Sequence, residues 1–271
     1  MGVARWTRRV RAWRSAGRPP RGVLVLLACV AALAVAGAVV GALFVRGGGR
    51  RPSAARSTTA PAARPAGHTA PRPHILPRST WLKDAAHHQP PPRYDDRVVA
   101  VFVHHTDSPN GYDCADAPDI IQSLYAGQTD NRHWDDLGYN FVVDRCGTIY
   151  EGRAGGVDRP VTGAHTQGFN HRTAGIAALG TFTAGVDVPK AMTDSIAAIV
   201  AWKLGMSDVD PRSEAHLVSS NSLSRYPKGT KATLPALSGH NEGYATTCPG
   251  VALSVRLPEV RRLAAHLQGR D

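Results

Sequence analysis

The 271-residue chain is poor in aromatic residues (6%), in Met (three), in Lys (five) and in Cys (four). Four cysteines in a chain of this length exclude a disulfide-stapled mini-protein, so a hydrophobic core must supply the stability. Acidic residues and Lys are missing altogether from residues 1–71, which hold 12 Arg; the remaining 200 residues carry 20 basic and 21 acidic side chains. The net charge of +11 therefore lies in the N-terminal quarter, and the neutral remainder argues against a nucleic-acid enzyme with a basic cleft, though net charge does not test for a local patch. No H-E-x-x-H pair is present, which removes the glutamate-assisted zinc proteases, and no internal repeat marks a solenoid.

What is present at the N-terminus concerns location. Residues 23–45 are 23 uncharged, mostly apolar residues, long enough to cross the roughly 30 Å hydrocarbon layer as a helix. Seven Arg precede them and Arg46, Arg50 and Arg51 follow, so the positive-inside bias keeps residues 1–22 in the cytoplasm and exports the rest. The competing reading is a cleaved signal peptide, with Ala34, Val35 and Ala36 as the small-residue site; cleavage there leaves an apolar stump, which favours the uncleaved anchor. Residues 46–74, built from Gly, Arg, Ala, Pro, Ser and Thr, cannot bury enough surface to offset chain entropy and read as an extended linker. A folded domain is expected over residues 75–271.

That domain reads as α/β. Residues 98–103 are a continuous apolar, β-branched run, the pattern of a strand covered on both faces, and end at His104 and His105. Asp116 and Pro118 start a helix with Ile120, Ile121, Leu124 and Tyr125 on one face. Residues 140–143 and 148–150 flank a turn in which Gly147 suits a left-handed position, predicting a hairpin. A further strand is expected over 175–182. Pro189 opens a helix with Met192, Ile196, Ile199 and Val200 on successive turns and Lys203 off the pattern, and residues 258–268 form a closing helix. Interleaved strands and helices with a hairpin predict a mixed sheet flanked by helices.

Cys29 lies in the apolar span, leaving three exported cysteines. Cys114 opens the first helix and Cys146 sits in the hairpin turn; as loop cysteines in an oxidising compartment they are natural disulfide partners. Cys248 is left over, eight residues after His240, a spacing that by itself suits either a buried inert thiol or a metal ligand.

Five motifs in order decide between these readings: VFVHHT at 101–106, WDDLGYNF at 134–141, GTIYEGR at 147–153, GAHTQGFN at 163–170 and GHNEGYATTCPG at 239–250. Together they closely resemble the peptidoglycan recognition proteins and their relatives, the type 2 N-acetylmuramoyl-L-alanine amidases, over about residues 75–268. The resemblance implies a mixed sheet flanked by helices and a cleft for the peptide stem of peptidoglycan, with one zinc held by His104, His240 and Cys248. It also implies that Tyr139 is the catalytic tyrosine, and that Thr246 occupies a position where phage members carry a catalytic Lys and many recognition-type amidases a Thr. His165 and Asn170 match cleft-lining positions, where substrate contact and loop bracing are both open, as stacking on ligand and core packing are for Trp134. His105 should point away from His104, and Glu151 with Arg153 reads as a structural ion pair. The departure from the family pattern is residues 154–162, where animal members carry a short Gly-Trp loop.

Three protein ligands leave a fourth tetrahedral position open, as a catalytic rather than a structural zinc requires. The expected function is an exported, membrane-anchored zinc amidase cleaving between the lactyl group of N-acetylmuramic acid and L-alanine. The alternative, from another class, is a peptidoglycan sensor using the same cleft without turnover.

Overall fold

Residues 67–83 and 89–271 are described by the structure, a computed structural model. The basic segment, the 23–45 span and the linker up to residue 66 lie outside the described residues. Among the described residues no helix is long and apolar enough to cross a membrane.

The apolar run near residue 100 becomes β1 (Ala100–His105), whose first five residues are buried because both of its edges and both of its faces are covered. The first helix follows as α1 (Ala117–Thr129), with Pro118 in its first turn, where a missing N–H costs nothing. The hairpin is β2 (Phe141–Val143) against β3 (Ile149–Glu151), antiparallel as expected, and Gly147 in its turn has φ +84°. Next come β4 (Thr173–Ala178) and α2 (Lys190–Gly205). A separate hairpin, β5 (Glu214–Val218) with β6 (Lys231–Pro235), precedes β7 (Leu237–Gly239). The chain ends with the short turns α3 (His240–Gly243) and α4 (Val251–Ser254), then α5 (Leu257–Leu267).

The main sheet has the order β3-β2-β4-β1-β7 and is parallel except for the β2–β3 edge, so the expected mixed α/β sheet is present. Successive residues of a strand face opposite sides. Val101 and Val103 therefore join the core under α2 and α5, while Phe102 packs with Phe169 and the inner residues of the β5–β6 hairpin. On the latter side a second cluster, Trp81, Ile121, Tyr125, Val142 and Ala177, seats α1 on the sheet. His104 shares the Phe102 face.

Three expectations need correcting. The strand expected over 175–182 is β4 at Thr173–Ala178, which ends where its parallel pairing with β1 ends, at His105 and Ala178. The β5–β6 hairpin was not expected at all. Residues 67–74, read as linker, lie along the domain: Ala70 packs on the core and Arg72 pairs with Asp158 at 3.1 Å. Lys203, off the helical pattern, is buried and donates to the carbonyls of Val157 (2.9 Å) and Arg159 (3.2 Å), so it holds the divergent 154–162 loop; burial pulls its ammonium down to about 8.

Candidate metal centre

β1 delivers His104 at 0% exposure, and the segment after β7 delivers the other two candidates. Parallel pairing of β7 with β1 sets His240, the residue after β7, beside the end of β1. The backbone N–H of Asn241 donates to the Cys248 carbonyl at 2.9 Å, closing the intervening loop so that Cys248 returns to His240. The result is one group of His104, His240 and Cys248 whose ligand atoms all lie within 4.8 Å of one another. His104 Nδ1 is 3.8 Å from Cys248 Sγ, and the His104 and His240 rings are 4.3 Å apart between centroids. A tetrahedral zinc sets its ligand atoms about 3.5 Å apart, so two imidazoles and a thiol at this spacing fit the ion.

The electrostatics suit a cation. Burial, then the neighbouring His240, His165 and His105, hold the His104 imidazole well below its usual range. Burial, then His105, takes His240 down to about 4. Both rings are therefore neutral and offer lone pairs. Burial pushes the Cys248 thiol up to about 12 against the opposing N–H of His105, so only a cation beside it would make it a thiolate at neutral pH.

Tyr139 lies with its ring centroid 5.1 Å from that of His104. Its backbone carbonyl accepts from Arg153 N at 2.8 Å, and the next residue, Asn140, accepts from Gly175 N of β4 at 2.8 Å and donates to the Val161 carbonyl at 2.9 Å. Burial, then Cys248, raises the Tyr139 hydroxyl above its usual range, so it remains a donor. Thr246 accepts from the backbone N–H of Cys248 at 3.2 Å, which leaves its own hydroxyl hydrogen uncommitted by that bond. The half-buried Trp134 rests on Gly138, with the Arg132 guanidinium 5.8 Å from its ring.

Asn170 Oδ1 accepts from the backbone N–H of both His165 and Thr166 at 2.8 Å, bracing that loop. His165 is buried behind His104, its Nδ1 3.3 Å from His104 Nε2 and 3.0 Å from Thr166 Oγ1; burial, then His240 and Arg153, takes it down to about 3. His105 points away, accepting from Phe182 N at 3.4 Å. Glu151 and Arg153 do not pair: the Arg153 guanidinium is instead turned to the Leu137 carbonyl, to which it donates at 3.1 Å. The expected bond between Cys114 and Cys146 is present.

Residues 94–251 match the family model described as Amidase_2, N-acetylmuramoyl-L-alanine amidase. The chain belongs to this family. Members similar to it include peptidoglycan-recognition protein LB of Drosophila melanogaster, 28% identical over 183 residues (65% of this chain, 64% of that protein). The N-acetylmuramoyl-L-alanine amidase of Sus scrofa is 31% identical over 185 residues (67% of this chain, 26% of that protein). The chain thus spans less than two thirds of either relative. Among solved structures, wild-type Drosophila PGRP-LB superposes with a TM-score of 0.52 at 23% identity, covering 68% of this chain and 92% of that one. Peptidoglycan recognition protein LE in complex with tracheal cytotoxin, a monomeric diaminopimelic acid-type peptidoglycan, gives 0.51 at 24% identity over 67% and 92%. Both likenesses establish the amidase-family fold.

Proposed function

We propose that the chain is a zinc-dependent N-acetylmuramoyl-L-alanine amidase, which hydrolyses the amide joining the lactyl group of N-acetylmuramic acid to L-alanine in peptidoglycan. The observation that supports this reading is the convergence of His104, His240 and Cys248 beside Tyr139. Zinc held by these three side chains would polarise the scissile carbonyl and make water nucleophilic near neutrality. The residues around it divide the remaining work. Tyr139, held protonated, and Thr246, whose oxygen is already an acceptor, are both assigned as donors to the oxygen that gains charge as the amide is attacked. Trp134 and Asn170, each half-buried, are assigned to the cleft wall that meets the stem peptide, with the buried His165 behind His104.

The location follows from the sequence alone. Residues 23–45 anchor the protein in the bacterial membrane, or are removed as a signal, and residues after 46 face the wall. The near-neutral charge of residues 72–271 argues against nucleic acid as a partner.

The test is incubation of the full-length protein with purified muropeptides, read by mass spectrometry. Release of free stem peptide, abolished by a chelator and restored by zinc, is expected. Binding of muropeptide by the zinc-loaded protein without any release would establish the sensor reading instead.

A further inference from the structure

A hydrogen-bonded chain runs from the candidate centre into the core. His104 Nε2 lies 3.3 Å from His165 Nδ1 and 3.4 Å from Thr166 Oγ1. On its other side, His165 Nε2 lies 3.5 Å from Thr173 Oγ1, and the Thr173 hydroxyl donates to the Phe169 carbonyl at 2.6 Å.

The far end of this chain fixes its direction. A carbonyl can only accept, so the single hydroxyl hydrogen of Thr173 is committed to Phe169 and its oxygen must accept from His165. The His165 proton is thereby drawn to Nε2, which leaves Nδ1 as a lone pair facing His104 Nε2 and the Thr166 hydroxyl. Two bare nitrogens 3.3 Å apart would repel. The Thr166 hydroxyl, 3.0 Å from His165 Nδ1 and 3.4 Å from His104 Nε2, can donate to the first while accepting from the second; a proton on His104 Nε2 satisfies all three groups. The nitrogen left bare is Nδ1, the one 3.8 Å from Cys248 Sγ.

We propose that Thr173 and His165 are positioning residues that set the tautomer of His104, leaving Nδ1 bare and aimed at the ion. The proposal rests on the metal-centre reading above for its consequence, although the tautomer it assigns does not depend on a metal being bound. Outer partners of this kind raise the basicity of a ligand imidazole and fix its ring.

A second observation shows that the fold makes room for His165. A Cβ added at Gly175 would stand 2.4 Å from His165 Cγ, and one added at Gly163 would stand 2.5 Å from its Cδ2. Gly175 is an interior residue of β4, fully paired with β1, where a glycine weakens a strand unless another group needs close approach. Here that group is an imidazole, clamped between two glycines at the distance its hydrogen bonds require.

Two measurements on the full-length protein test this. In the zinc-free, 15N-labelled wild type, long-range 1H–15N correlation spectra should show His104 and His165 both protonated on Nε2; a proton on Nδ1 of either ring overturns the proposal. In competition with a chromophoric chelator, Thr173→Val should bind zinc up to about 10-fold more weakly than wild type, the lower end of the effect of losing an outer partner, because Thr173 acts on the ligand through His165. Thr173→Ser, which keeps the hydroxyl, should restore it; equal affinity of Thr173→Val and wild type overturns the proposal. If the valine variant does not fold, the wild-type spectrum still decides. A wild type that binds no zinc but shows both rings protonated on Nε2 would defeat the metal-centre reading and leave the tautomer assignment standing.

Discussion

The backbone N–H of His105 donates to the Sγ of Cys248 at 3.3 Å. The residue that follows one candidate ligand along β1 thus supports the sulfur of another, and their mutual position is set by main chain rather than by flexible side chains. A hydrogen bond of this kind favours the thiolate and tunes its donor strength.

Replacing Cys248 by Ser, or His240 by Ala, should abolish both zinc content and stem-peptide release, because a three-ligand site has no redundancy. Tyr139→Phe should differ. It removes a hydroxyl outside the ligand set, so zinc measured by atomic absorption should remain while turnover falls by about 10² or more. Full activity in the phenylalanine variant would show that Tyr139 has been given the wrong role.

The Cys114–Cys146 bridge closes a span of 32 residues, tying the start of α1 to the β2–β3 turn. Chain-entropy arguments give it about 3 to 4 kcal/mol. The double Ser variant should lose that much stability in urea unfolding while keeping its zinc, and an unchanged midpoint would count against a stabilising bridge.

Lys203 gives a pH dependence of unusual sign. Its amine titrates near 8 when folded against 10.5 when free, so between those values the unfolded chain binds a proton that the folded one does not. Stability from this residue is present in full above 10.5 and lost as pH falls through 8, with a slope of at most about 1.4 kcal/mol per pH unit. The difference in unfolding free energy between wild type and Lys203→Met, followed from pH 7 upward, isolates it from the opposing loss at Cys248. A flat difference would show that the ammonium is adequately solvated by its two carbonyls.

Two glycine substitutions should have opposite effects. Gly127, inside α1, has nothing within 4 Å of an added Cβ, so Gly127→Ala should stabilise by about 0.5 to 1 kcal/mol through helix propensity. Gly175→Ala drives a methyl into the His165 ring and should cost about 1 to 3 kcal/mol as an overpacked core. Thermal melts of both decide the matter, and a stabilised Gly175→Ala would mean that the ring moves freely.

The full chain should fractionate with membranes, with residues beyond about 46 open to protease from outside, as the uncharged span and the Arg asymmetry imply. Recovery from the medium alone, with a new N-terminus near Gly37, would instead establish the cleaved signal.

The sequence carried the elements whose signal is local. The apolar run at β1, the Asp116 and Pro118 start of α1 and the spaced apolar face of α2 each depend on neighbouring residues only. The end of β4, expected at 182, falls at Ala178 because its pairing with β1 is a register between distant segments. The β5–β6 hairpin does alternate, with Ala215, Leu217, Ala232 and Leu234 inward, but each strand offers just two modest apolar residues. In the same way His104, Tyr139, His240 and Cys248 stand in recognisable motifs, whereas the ties of His165 to Thr173 and Gly175 exist only once β4 is in place.

His104 and Cys248 are 144 positions apart, so an ion gripped by both would be a cross-link closing a far longer stretch than the disulfide does. Loading and folding then become one equilibrium, in which metal at a thousandfold excess over its dissociation constant adds about 4 kcal/mol to the native state. The two staples divide the molecule. Sulfur–sulfur bonding secures α1 and the β2–β3 turn whatever the metal supply, while scarcity of zinc would loosen β7 and the loop carrying His240 and Cys248 first, so that the far edge of the sheet frays before its middle.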